Sequence, residues 1–487
     1  MLRLLAFFLP PAVLALAWWM EAPSREEAPL PAAVRADGER LLADVAALVD
    51  TVGPRPSGTP EAAAATRWTA DRLTREGILH NVVTGDHGEA YDFWARFQID
   101  AGTSLEREAP LRNVVAEFPQ VGPAELPGRI LVFAHTDSVA LAPGAEDNAS
   151  GVALALSLCE LLRDEAPRRR VTVVFTDGEE RNLLGAALFA SRMTEAEVDK
   201  VQLAFAVEMS GWGSAPYLHW FLSSSTLLDG PQPPPPDRVL ATLLSGSARA
   251  GAPYRVADPF VGWLFPALRD HIAIRNDADH RVFELLGRPA LMTTTSSLVK
   301  FYPWYHRAED TPDRLSAATL ERSATALRGA IFAVGQTGDL TGAPEASHGY
   351  PFQGRLIKAM WLRFAMALLA FGMFLHGTWP SRFAALPMAV LTLAPDLSLL
   401  AMGIGLPTAW LALAAGSVPW RLPRIPLAVA AMIPTTVAVG SWLFARFQFG
   451  QSTRLLMDLR GDVSQPALLL ALLLCFAVAW RGPRPAA

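Results

Sequence analysis

Two patterns of apolar residues divide this chain of 487 residues, and the border between them falls near residue 340. Before it, short apolar runs alternate with stretches in which apolar residues recur every three or four positions. The runs at 111–118, 130–134, 171–175 and 201–207 read as strands. The stretches at 36–49, 60–76, 148–165, 182–192 and 320–334 read as helices, the third marked by Val152, Leu156, Cys159 and Leu162 with Ser and Asn candidates for its cap. A strand–helix–strand succession builds a parallel sheet with right-handed crossovers, so the class predicted is α/β. In open α/β sheets ligands collect beyond the carboxyl ends of the strands. Residues 210–266 are rich in Trp, Gly and Pro. The proline run there cannot join a sheet ladder, which predicts a surface insertion, either a long loop or a lid over a substrate.

Beyond residue 358 the pattern changes to five apolar segments, 360–375, 383–395, 397–415, 426–444 and 466–480, several near the length that spans a bilayer. With five crossings the inner loops carry Arg382, Arg421, Arg424, Arg481 and Arg484, with Arg3 at the N-terminus, and no acid. That agrees with the positive-inside rule. Residues 4–20 read as a further anchor, or as a signal segment cut near Ala15-Leu16-Ala17. The expected organisation is an anchor or signal segment at 1–20, linkers at 21–31 and 339–357, an α/β domain at 32–338 and an all-α membrane domain at 358–487. The α/β domain then lies outside the cytoplasm.

A net charge of −5 offers no basic footprint for nucleic acid. Lys200, Lys300 and Lys358 are the only lysines, an arginine bias that suggests GC-rich bacterial coding and hence a bacterial inner membrane. Cys159 and Cys475 are far apart in pattern and predict no disulfide framework. The oligomeric state is left open.

Chemistry-bearing residues gather at the predicted strand ends. His135 ends one strand, Glu179 and Glu180 follow the next, and Glu208 follows the third. Asp147 precedes a helix, where a carboxylate can bridge two cations, and His306 lies in a loop before the last helix. Imidazole nitrogen and carboxylate oxygen suit Zn²⁺, although they do not choose sharply between it and Co²⁺ or Mn²⁺. Glu179 would be left free as a general base, since adjacent carboxylates divide their roles when a cation neutralises only one. Asp137 is suited to hold the other nitrogen of His135. Each residue has a plainer reading alone: a satisfied histidine, a solvated Glu-Glu turn, an Asp-Asn helix cap. Three successive strands that each end in a candidate ligand favour the metal.

In order, AHTDS, GAEDNASG, FTDGEE, VEMSG and YHRAEDT resemble the successive motifs of the M28 family of zinc peptidases, over about residues 113–338. The resemblance implies a mixed, largely parallel central sheet flanked by helices. It also implies two zinc ions, one on His135, Asp147 and Glu208 and the other on Asp147, Glu180 and His306. Glu179 matches the family's catalytic base and Asp137 its supporting aspartate. Glu208 departs from the aspartate many soluble members carry, by one methylene. The whole layout is similar to the membrane-bound branch typified by the endoplasmic reticulum metallopeptidase. Asp279-His280 and Gly287-Arg288-Pro289-Ala290 also resemble the family's substrate-side segment, where a structural role is expected.

The function implied is a membrane-anchored dizinc aminopeptidase acting on peptides outside the cytoplasm. The alternatives are a single-zinc, glutaminyl cyclase-like acyltransferase and a receptor-like membrane protein without activity.

Overall fold

The computed structural model describes residues 29–97, 107–120, 125–219, 237–255, 278–296, 301–338 and 340, the short pieces 350–352 and 355–357, and isolated residues of both terminal segments. Helices α1 (Gly38–Val52) and α2 (Pro60–Arg75) are followed by strand β1 (His80–Asp86), helix α3 (His87–Ala95) and strands β2 (Pro110–Phe118) and β3 (Arg129–His135). Then come helix α4 (Gly151–Asp164), strand β4 (Arg170–Thr176), short helices α5 (Leu184–Ser191) and α6 (Glu195–Val198), and strands β5 (Val201–Val207) and β6 (Tyr217–His219). Helices α7 (Asp237–Arg249) and α8 (His280–Leu285), strand β7 (Ala290–Thr294) and helix α9 (Ala317–Gln336) complete the body.

Seven strands form one sheet in the order β1-β2-β4-β3-β5-β7-β6. The pairs β3/β4, β3/β5 and β5/β7 are parallel, while β1, β2 and β6 join antiparallel, so the sheet is mixed and parallel at its centre. Side chains alternate between the faces of a strand, and each face of this sheet has its own core. Ile130, Val132 and Ala134 of β3 point into one, with residues of α1, α4, α7 and α9. Leu131 and Phe133 point into the other, with residues of α3, α5 and α8. Strands buried on both faces read as continuous apolar runs, which is why β2 to β5 are legible in the sequence, whereas β7, buried throughout but only five residues long and ending in two threonines, is not. Edge strand β1, HNVVTGD, is partly exposed along its length and carries no such signal.

The predicted insertion needs correction. Within 210–266, β6 extends the sheet by pairing with β7, and α7 buries Val239, Leu240, Leu243 and Leu244 in the core. The spacing of those four residues is that of an amphipathic helix, hidden by the composition around it. Residues 231–236 of the proline run lie outside the described residues. A small hairpin, β8 (Tyr350–Phe352) with β9 (Arg355–Ile357), falls in the stretch read as a linker. Among the described residues no helix is long and apolar enough to cross a membrane. The segments read as spans, 4–20 and those from 360 onward, lie almost wholly outside the described residues.

Helices α7 and α9 touch through glycines. A Cβ on Gly329 would lie 2.7 Å from Gly246 O and 2.6 Å from Ala250 Cβ, and one on Gly246 would lie 2.5 Å from Gly329 O. Gly329→Val should therefore force the helices apart and cost about 1–3 kcal/mol, as overpacked cores do. A denaturation midpoint equal to that of the wild type would show that the contact yields without cost.

Candidate metal centre

The site is built by three adjacent parallel strands and the loops that follow them. His135 is the last residue of β3, and 1% of it is exposed. Its Nδ1 lies 3.1 Å from Asp137 O and 3.4 Å from Asp137 Oδ1. A proton on Nδ1 satisfies both and leaves the Nε2 lone pair free to face the site. Nε2 is 3.2 Å from Asp147 Oδ1, 3.2 Å from Glu208 Oε2 and 3.9 Å from Glu179 Oε2. The longer glutamate at 208 thus reaches the imidazole from the end of β5.

Asp147 does not open the helix directly. The chain makes a wide turn over Ala145–Ser150, with Asp147 and Asn148 outside helical geometry, and α4 starts only at Gly151. Asn148 caps that start by accepting from Gly151 N at 3.1 Å, and its amide donates to Val207 O at 2.8 Å. The carboxylate of Asp147 is thereby swung between two histidines. Oδ1 faces His135, while Oδ2 lies 3.3 Å from His306 Nε2. His306 Nε2 is also 3.0 Å from Glu180 Oε2. The His306 ring is stacked on Tyr305 at 3.7 Å between centroids.

The seven candidate ligand, base and supporting residues converge here. Their ligand atoms fall into two groups, His135 with Glu179 and Glu208, and Asp147 with Glu180 and His306; within each group the atoms lie within 4.8 Å of one another. Glu179, expected as the base, lies beside the first group, its Oε2 farther from His135 Nε2 than that of Glu208. Asp137 does more than orient His135: its two oxygens accept from Glu179 N at 3.1 Å and Glu180 N at 3.2 Å, which pins the Glu-Glu turn.

Other residues hold the site, and single motifs gave little sign of them. Glu146, fully buried, accepts from Gly211 N at 2.8 Å and Trp212 N at 2.9 Å, joining the Asp147 turn to the segment after Glu208. Asp310 accepts from Glu146 N at 2.8 Å, Asp147 N at 3.2 Å and Tyr302 Oη at 2.8 Å. Asp279, fully buried, accepts from Thr176 Oγ1, and its charge acts on Glu179 and Glu208. The non-glycine residues with left-handed backbone among the described ones, Asn182, Leu183, Met209 and His306, all lie within a few positions of Glu180 and Glu208 or in the site itself. Strain of this kind collects where geometry is fixed for a purpose.

The electrostatics point the same way. Burial, joined by Glu208 and Glu180, pushes the Glu179 carboxyl well above its usual range against the pull of His135. Burial likewise raises Glu180 and Glu208, each to about 7. Burial lowers the His306 imidazole, but bonds and charge from Asp147 and Glu180 outweigh it and hold the ring up at about 10. Asp147 is pushed up by burial, yet the two histidines bring it below the carboxylate range. Glu180 Oε1 and Glu208 Oε1, one in each group, are buried without a hydrogen bond. Buried polar atoms are ordinarily satisfied, and a divalent cation at each group would satisfy these. The donor set, imidazole and carboxylate, fits Zn²⁺.

Residues 113–331 match the family model described as peptidase family M28, so the chain carries an M28 peptidase domain. Aminopeptidase YwaD of Bacillus subtilis is 23% identical over 208 residues, which cover 42% of this chain and 41% of YwaD. The vacuolar membrane protease of Lachancea thermotolerans is 29% identical over 180 residues, covering 36% of this chain and 18% of that protein. The chain thus spans less than half the length of these relatives. An aminopeptidase from Aneurinibacillus sp. strain AM-1 superposes with a TM-score of 0.48 at 17% identity, over 63% of this chain and 96% of that one.

The web around Asp310 ranks two substitutions. Asp310→Ala strips the acceptor from three donors and should cost about 1–3 kcal/mol or more, whereas Tyr302→Phe removes one donor and should cost about 1 kcal/mol. Denaturant unfolding of chelator-treated protein checks the order. Equal losses would mean that the Asp310 bonds to the Asp147 turn carry no weight.

Proposed function

We propose that the chain is a dizinc exopeptidase of the M28 type, tethered to a membrane and removing N-terminal residues from peptides outside the cytoplasm. The observation that carries this reading is Asp147, whose two oxygens face two different histidines. One carboxylate placed so would serve a pair of cations. His135, Asp147 and Glu208 would hold one ion, and Asp147, Glu180 and His306 the other.

Two bound zinc ions supply Lewis acidity, lowering the pKa of water and offsetting negative charge at the scissile carbonyl. The residues of the chain do the rest. Glu179, whose Oε2 lies 3.9 Å from His135 Nε2, would take a proton from the attacking water and pass it to the leaving amine. Asp137 holds the Glu179 amide and orients His135, so base and ligand keep their spacing. The same placement of Asp147 argues against a single-zinc cyclase, which would need only one of the two histidine groups. Similarity to YwaD supports the choice of aminopeptidase, and similarity to a vacuolar membrane protease supports the membrane setting.

Elemental analysis of the full-length protein should find about two zinc ions per chain, falling by at least one in Asp147→Ala. Glu179→Gln should keep both ions and lose about 10²–10⁴-fold in kcat on peptide substrates. Metal-replete Glu179→Gln cleaving as fast as the wild type would remove the proposed base, and one zinc in an intact wild type would favour the cyclase. The five apolar segments predict that the chain stays with the membrane pellet after an alkaline carbonate wash; release into the supernatant would refute the tether.

A further inference from the structure

Arg55 lies in the turn Gly53-Pro54-Arg55-Pro56 between α1 and α2, far in sequence from every candidate ligand. Its side chain is fully buried, 0% exposed, against the back of the metal centre. Every donor bond of its guanidinium goes to a backbone carbonyl. Nε donates to Thr136 O at 2.5 Å, Nη2 to Gly144 O at 2.8 Å, and Nη1 to Pro143 O at 2.5 Å and Gly53 O at 3.2 Å. Its own amide donates to Ser138 Oγ at 3.1 Å, and Ser138 N donates back to Arg55 O at 3.3 Å.

The carbonyls chosen are telling. Thr136 stands between His135 and Asp137, and Pro143-Gly144 directly precede the turn that presents Asp147. One planar fork therefore spans the two ends of the loop that separates the first candidate ligand from the bridging one. The far side of this contact is shaped to receive it: Gly144 has a left-handed backbone (φ 68°), and a Cβ there would lie 3.1 Å from Arg55 Nη2. Burial lowers the guanidinium pKa to about 10 while Asp137, Asp310, Asp147 and Glu180 draw it upward, so the group keeps its charge at neutral pH.

We infer that Arg55 is a positioning residue of the metal centre: its guanidinium fixes the separation between the His135 strand end and the Asp147 turn, and its charge offsets the carboxylates gathered there. The inference rests on the two-metal reading above. It calls for a fork specifically, because lysine offers its donors from a single point and cannot serve carbonyls on both sides at once.

The test uses full-length protein stripped with a chelator and titrated with Zn²⁺ and, in parallel, with Co²⁺, whose visible absorption reports ligand geometry. Wild type, Arg55→Lys and Arg55→Met are compared, with thermal unfolding of the stripped proteins as the control for folding. Arg55→Lys should fold and bind its weaker ion about 10–100-fold less tightly, the range found when groups that support metal ligands are lost, with an altered cobalt spectrum. Arg55→Met should lose that ion altogether. Wild-type affinity and an unchanged cobalt spectrum in Arg55→Lys would overturn the assignment. So would failure of both variants to fold, which would make Arg55 a general structural residue. A wild type that takes up no metal would instead sink the two-metal reading, a failure seen without any variant.

Discussion

Gathering the carboxylates of Asp147, Glu179, Glu180 and Glu208 into one largely buried space costs free energy on two counts. Each loses hydration, and each repels the others through a medium that screens poorly. The raised pKa of Glu179, Glu180 and Glu208 is the visible form of that cost. Such a cluster stays ionised and in place only where cations and oriented donors are brought to it. His135 and His306 stand between the carboxylates, and the fully buried Arg55 stands behind them. Two further positive ions fit the same balance, and the buried oxygens without a hydrogen bond mark where they would act.

The donors come from a reciprocal arrangement of loops. Three of the segments that present candidate ligands are held by a side chain from another. Asp137, after β3, receives the amides of the Glu179-Glu180 turn after β4. Glu146, beside Asp147, receives amides from the segment after β5, and Asn148 bonds to Val207 O at the end of β5 itself. Asp310, from the His306 loop, receives the amides of the Asp147 turn. A displacement of one of these loops would break bonds to its neighbour. The sheet beneath sets the spacing, because parallel neighbours β4, β3 and β5 end side by side.

This division explains what the sequence made legible. The central strands announce themselves because burial on both faces requires unbroken apolar runs, and the ligands announce themselves because they follow those runs directly. His135, Glu180 and Glu208 needed no tertiary knowledge to be grouped. The supporting residues are hidden for the opposite reason. Arg55 acts through carbonyls of residues 136, 143 and 144, and a carbonyl has no side-chain signature; only the folded chain reveals that a lone arginine in a Gly-Pro turn serves them. Glu146 was concealed by standing next to a stronger candidate. Helix α7 was lost for a compositional reason, since the surrounding Trp, Gly and Pro outweighed four well-spaced apolar residues.

The strained positions show how the fold's stability is used. A left-handed backbone costs an ordinary L-residue about 1–2 kcal/mol, and Met209 and His306 both adopt it, one beside Glu208 and the other a candidate ligand itself. Glycine would relieve the strain at 209, but His306 cannot be exchanged without losing its ring. Its strained backbone lets Nε2 meet Asp147 and Glu180 together while the ring rests on Tyr305. Two apolar cores, one on each face of the sheet, offset this expense far from the site. The strain is therefore local and the stability distributed, the combination that keeps a charged, poorly solvated cluster in a single arrangement.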